Sequence, residues 1–81
     1  MITKEQALTL RYGDIIYHVS NRNADGTPQR WRVNGAVKIW KRKSNAHRFS
    51  VPLKYGLYVY DYLDESSAHL LCLTEEEALT N

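Results

Sequence analysis

Apolar and polar residues alternate at a period of two through the middle of the chain, between residues 30 and 55. The odd-numbered positions of the first stretch include four apolar residues: Trp31, Val33, Val37 and Ile39. The even-numbered positions include four basic residues and a tryptophan: Arg30, Arg32, Lys38, Trp40 and Arg42. Successive side chains of a strand point to opposite faces, so this pattern predicts strands with one buried face and one basic, solvent-facing face.

Asn34-Gly35 interrupts this stretch and predicts a hairpin turn. A two-residue loop would pair Trp31 with Lys38 and mix the two faces. A three-residue loop over 33–35, with Gly35 in the left-handed conformation of a bulge, pairs Trp31 with Val37 and keeps both faces uniform. We therefore expect the bulged turn.

The rest of the chain predicts short strands separated by turns. Gly13-Asp14 leads into a β-branched and aromatic strand over 15–19, and polar loops follow at 21–28 and 42–47. A polar-out strand over 48–55 contains Pro52, which predicts an edge position or a kink. Further strands are expected over 57–63 and 68–73, with capping-box helices at 4–10 and after Thr74.

These elements predict one domain over residues 1–81 that is mainly β. Five to six short strands with short terminal helices are typical of a small SH3-like barrel or a strongly bent antiparallel sheet.

A resemblance adds a biological setting. The chain has R-V-N-G-A-V-K-I-W-K at residues 32–41, followed by F-x-x-P-x-K-x-G-L at residues 49–57. This pattern resembles one found in small uncharacterised proteins encoded by bacteriophages and prophages, over about residues 13–73. The resemblance implies a phage or mobile-element setting and transfers no catalytic residue, because those proteins have no assigned activity. Trp31 and His47 are not part of the shared pattern.

Charge is distributed unevenly along the chain. Residues 30–54 contain eight basic side chains and no acid: Arg30, Arg32, Lys38, Lys41, Arg42, Lys43, Arg48 and Lys54. Residues 55–81 contain six acids and no Lys or Arg: Asp61, Asp64, Glu65, Glu75, Glu76 and Glu77. The net charge of +2 conceals this separation.

The sequence gives little support for an enzyme, a metal site or a cofactor. It contains no glycine-rich phosphate loop, nucleophile elbow or pair of catalytic carboxylates. His69-x-x-Cys72 lacks a second ligand pair, and Cys72 between two leucines is expected to be a buried, inert thiol. One cysteine, no signal-like N-terminus and no long apolar run predict a cytoplasmic protein with no membrane partner.

The basic face is the candidate binding site for DNA or RNA. We expect it to consist of Arg30, Arg32, Lys38, Trp40, Arg42, Lys43 and Arg48. Cations neutralise phosphates, and an exposed indole at position 40 would stack on an unpaired base. An ordinary solvated face that serves solubility explains the same pattern.

The alternative function is a protein-interaction module, either an inhibitor or adaptor of a host or phage protein, or a small structural or assembly component. In the stretch 57–63, the tyrosines Tyr58, Tyr60 and Tyr62 alternate with the aliphatic residues Leu57, Val59 and Leu63. In a strand the two rows would point to opposite faces. Either row is compatible with the core. If the aliphatic row is inside, the phenols form a surface of the kind common at protein interfaces.

Overall fold

The computed structural model describes residues 1–41 and 47–80, without the side chains of Trp40, Lys41 and His47. Its elements in chain order are α1 (Lys4–Leu8), β1 (Ile15–Arg22), β2 (Pro28–Val33), β3 (Lys38–Lys41), β4 (His47–Tyr55), β5 (Val59–Asp64), a 3-10 turn (Ala68–Leu70), β6 (Leu71–Cys72) and α2 (Glu75–Thr80). The mainly β prediction with short terminal helices is confirmed. The predicted strand over 68–73 is shorter than expected, because its first part is the 3-10 turn.

The strands form one antiparallel sheet in the order β3-β4-β2-β1-β6, and β5 pairs with the other edge of β4. Strand β4 is therefore central, and the prediction that Pro52 places it at an edge is wrong. No strand pairing among the described residues closes this sheet into a barrel.

The predicted hairpin at Asn34-Gly35 is also wrong. Trp31 pairs with Ile16 of β1, and both β2 and β3 pair with β4 on the same edge. The chain continues in one direction from β2 through residues 34–37 into β3. These four residues lie opposite only two of β4, Val51 and Pro52, so the segment is a bulge within a long, interrupted strand.

Pro52 and Gly35 explain the position of this bulge. The Asn34 amide donates to the Pro52 carbonyl at 2.7 Å, so the side of Pro52 that lacks an N–H faces the bulge. A Cβ atom at position 35 would lie only 2.9 Å from Cγ of Pro52. Gly35 is not among the glycines with positive φ, so it is required for space and not for a left-handed turn.

The core lies on one side of the sheet, the inner face. Odd-numbered side chains of β2 and β4 form its centre: Trp31, Val33, Phe49, Val51 and Leu53. Leu63 of β5, Ile2, Ala7 of α1 and Leu71 pack in the same cluster. Burial of each such aliphatic side chain stabilises the fold by about 1.5–3 kcal/mol, so the inner face fixes which side of the sheet faces solvent.

Side-chain caps hold the two helices at the ends of the chain. The Thr3 hydroxyl accepts from the Gln6 amide at 3.1 Å, and the Thr3 amide donates to the Gln6 side chain at 2.9 Å, which confirms the predicted capping box. At α2, the Thr74 hydroxyl accepts from the Glu77 amide at 3.2 Å. The Arg22 guanidinium donates to the Ala78 carbonyl at 3.1 Å and ties α2 to β1.

The contact between Gly35 and Pro52 predicts a coupled pair of substitutions. Gly35→Ala is expected to lower the free energy of unfolding by about 1–3 kcal/mol, because the added methyl overlaps the proline ring. Pro52→Ala removes that ring, so in the Pro52→Ala background Gly35→Ala should lower the free energy of unfolding clearly less. Urea unfolding of the two single variants and the double variant measures the coupling; strictly additive effects would contradict the assignment.

Candidate nucleic-acid interface

Four strands each contribute one residue to a row across the outer face of the sheet. Arg32 of β2 pairs with Ile15 of β1 on one side and with Lys54 of β4 on the other. Lys54 in turn pairs with Tyr60 of β5. Neighbouring strands lie about 4.8 Å apart, so this transverse row of four residues spans roughly 14 Å.

Arg30 extends the transverse row along β2. It lies two residues before Arg32, on the same face, and pairs with Tyr17. Both arginines are exposed, and Lys54 is half-buried. None of these three cations forms an ion pair with an acid of the described residues. Their charges are thus available to a ligand.

An open depression of about 430 Å³ lies over this part of the face. The residues that line it are basic, apolar or glycine: Ile15, Arg30, Arg32, Lys54, Gly56 and Leu57. The absence of an acid from this lining makes the depression an attractive site for an anion. Its apolar walls suit a ligand that also carries a flat or apolar group.

Tyr60 forms one end of the transverse row. Its side chain is 61% exposed, and Nζ of Lys54 lies 5.4 Å from the centroid of its ring. This is a cation–π contact, which holds the ammonium group beside the aromatic surface. Tyr58 and Tyr62 are exposed as well. Of the alternating aliphatic residues only Leu63 is buried, while Leu57 and Val59 are exposed, so neither row of this hairpin is wholly in the core.

Two other predicted residues, Lys38 and Arg48, form a second group at the far end of β4. Lys38 pairs with Ser50 and is exposed, on the same face as the transverse row. Arg48 lies six residues from Lys54, which corresponds to about 20 Å along an extended strand. The sheet therefore separates these cations from Arg30 and Arg32.

Acidic side chains surround this second group. Nε of Arg48 lies 3.9 Å from Oε1 of Glu65. Asp64 pairs with Ser50 on the same face. Hydrogen bonds from the Ser66 hydroxyl and from the Ser66 and Ser67 amides lower the pKa of Asp64, so this carboxylate stays charged. The end of β4 at Arg48 therefore carries both positive and negative charge, whereas the transverse row carries only positive charge.

Three predicted site residues are incompletely placed. The backbone of Trp40 occupies the register position opposite Arg48, but its side chain is not among those described. Arg42 and Lys43 lie outside the described residues. Of the seven predicted residues, the structure brings together Arg30 and Arg32.

Lys54 and Tyr60 belong to the site but were not among the predicted residues. Each occupies an outward-facing position in the alternation of its own strand, and this alternation is visible in the sequence. What the sequence did not reveal is that β2 lies directly beside β4, and only this pairing places Lys54 next to Arg32.

The inner side of the sheet contains a smaller and more enclosed pocket of about 80 Å³. Its polar lining includes His18, Asn21, Asp61 and Ser67, beside Trp31 and three leucines. Nε1 of Trp31 is buried without a hydrogen-bond partner among the described residues. The residues that line this pocket are far apart in the chain and form no sequence motif, so the pocket is not predictable from the sequence.

His18 is held in one neutral tautomer at this pocket. Its Nδ1 accepts hydrogen bonds from the amides of Ser20 and Asn21, at 3.2 and 3.0 Å. An amide N–H can only donate, so Nδ1 is unprotonated and the neutral ring carries its proton on Nε2. Burial lowers the pKa of His18, and the charge of Asp61 opposes that effect only in part.

Neither a metal cluster nor a membrane-spanning helix is found in the described part of the chain. Within residues 1–41 and 47–80, no group of three His, Cys, Asp or Glu side chains is arranged to hold a metal ion. The helices in these ranges are too short and too polar to cross a bilayer.

Comparison with models of known protein families, with curated proteins and with solved structures finds no match.

The lowered pKa of His18 predicts a pH dependence of stability. Between its ordinary value of 6.5 and the lower folded value, the unfolded chain binds a proton that the folded protein does not. The free energy of unfolding should therefore fall as the pH is lowered through this window. His18→Gln should flatten this part of the profile, measured by urea unfolding between about pH 7 and pH 5.5.

His69→Gln is the matched control, because the His69 side chain is exposed. It should keep the slope of the parent protein. If the free energy of unfolding of the His18→Gln variant fell with decreasing pH as steeply as that of the parent protein, the assignment of this titration to His18 would be contradicted.

Proposed function

We propose that this protein binds nucleic acid without chemically altering it, through the outer face centred on Arg30, Arg32 and Lys54. The observation that carries the proposal is the convergence of three cations, none paired with an acid of the described residues, around one open depression. Such a surface attracts phosphates and releases their counterions on binding.

Phosphate contact fits this surface better than binding of a lone carboxylate. Its cations lie on two adjacent strands and are spread over a face, whereas a single carboxylate is usually held by one bidentate arginine. An extended polyanion contacts several separated cations at once. The exposed Tyr60 adds a surface on which a base can stack.

The second cation group has a supporting role in this proposal. Lys38 and Arg48 lie on the same face as the transverse row, so a bound strand that follows β4 would reach them. Glu65 and Asp64 reduce the local positive potential there. We therefore expect Lys38 and Arg48 to contribute less to affinity than Arg30 and Arg32.

Three sequence-based expectations belong to the same proposal. The number and length of the strands support an SH3-like relationship, and small β domains of this type commonly bind nucleic acid on a sheet face. The R-V-N-G pattern supports a phage or prophage setting. The single cysteine supports a reducing, cytoplasmic location.

Binding should depend steeply on salt and on Arg32. Three phosphate contacts predict a slope of about −2 to −3 for the logarithm of the association constant against the logarithm of salt concentration. Arg32→Gln should weaken binding and reduce the magnitude of this slope by about 1. Fluorescence anisotropy with a labelled oligonucleotide at several salt concentrations measures both quantities.

Lys4→Gln is the charge-matched control, because Lys4 is exposed on α1, which packs against the inner face. This variant should retain the affinity and the slope of the parent protein. Equal losses in the Arg32→Gln and Lys4→Gln variants would show only a non-specific effect of net charge and would contradict the proposed face.

A protein partner is the second candidate function, and the tip of the β4–β5 hairpin favours it. Leu57 is 72% exposed and Tyr58 is 86% exposed. Large exposed apolar side chains of this kind often anchor protein interfaces. If this function is the correct one, Tyr58→Ser abolishes capture of a stoichiometric protein partner and Arg32→Gln leaves that capture intact.

A further inference from the structure

We propose that the ligand of the outer face is a single strand, and that one of its unpaired bases stacks on Tyr60. This inference rests on the proposed function and specifies its substrate class. It is carried by the position of an exposed aromatic ring in the same transverse row as two cations.

Tyr60 has the geometry of a stacking platform. Nζ of Lys54 lies over the ring at 5.4 Å from its centroid, yet Tyr60 remains 61% exposed. An aromatic residue with this much exposed surface can take a planar group against it. Lys54 and Arg32 lie in the same transverse row as Tyr60, so the phosphates of a strand that crosses this row would come within reach of both cations.

The depression beside the row suits the remainder of a nucleotide. Ile15 and Leu57 give it apolar walls, and Arg30, Arg32 and Lys54 give it positive charge. A base packs favourably against the apolar walls, and a phosphate is attracted by the positive charge. In a duplex the faces of the bases are covered by their neighbours, so a duplex can use only the cations.

Neighbouring tyrosines are less suited to this role. Tyr62 is 59% exposed and lies on the same face, but its cross-strand partner is Pro52. A depression that it lines contains Asp64 and Glu65 beside Arg48, so the charge around Tyr62 is mixed. Tyr58 is in the turn that precedes the first residue of β5. Tyr62 is thus a control of equal chemistry and similar exposure.

The test compares a labelled oligonucleotide of about fifteen nucleotides with the duplex that it forms with its complement, a length within the usual range of single-strand sites. Anisotropy titrations at one salt concentration give both affinities. The single strand should bind more tightly. Tyr60→Leu should lower single-strand affinity about 5- to 150-fold and leave duplex affinity unchanged.

Two further variants separate stacking from a structural effect. Tyr60→Phe keeps the aromatic surface and should retain most of the single-strand affinity. Tyr62→Leu should leave both affinities unchanged. Loss of single-strand affinity in the Tyr62→Leu variant to the same extent as in Tyr60→Leu would overturn the assignment to Tyr60.

The outcomes also distinguish this inference from the proposed function. Equal affinity for the single strand and the duplex, with Arg32→Gln still weakening both, would overturn single-strand selection and leave nucleic-acid binding in place. Failure of the parent protein to bind either oligonucleotide at low salt would overturn both proposals.

Discussion

The whole outer face depends on how β4 accommodates Pro52. On one edge β4 pairs with two consecutive strands, β2 and β3, and the bulge of residues 34–37 joins them. The bulge contains two residues more than the β4 segment opposite it. Because this excess is even, the alternation of side chains continues in phase, and Arg32 and Lys38 remain on the same face. An excess of one residue would have turned the basic side chains of β3 inward.

The period-two pattern predicted the two faces of β2 correctly but not which strands are neighbours. It also overestimated burial in β3 and β5, where Ile39 and Val59 are 55% and 52% exposed. Trp31 and Val33 are buried, and Arg30 and Arg32 are exposed, as their parity indicates. Asn34-Gly35, in contrast, has the same local chemistry in a hairpin turn and in a bulge. The deciding contact is with Pro52, a residue distant in the chain, and local propensity contains no information about it.

In the candidate site, too, some residues are predictable from the alternation along one strand and others only from the pairing between strands. Parity alone selected Arg30 and Arg32, because they share a strand. Lys54 and Tyr60 became part of the site only through cross-strand register, and that register is set by the bulge and by burial of the inner face. The pocket around His18 was missed for a related reason: it is assembled from several elements, none of which has a distinctive motif.

Binding at the outer face is tested most directly by an NMR titration that follows side-chain resonances while an unlabelled single-stranded oligonucleotide is added. We expect the guanidinium signals of Arg30 and Arg32, the Lys54 methylene next to Nζ and the Tyr60 ring to shift together along one binding curve. Signals from the inner pocket, such as the His18 ring, should stay in place. Shifts confined to the hairpin tip or to the inner pocket would contradict binding at the outer face.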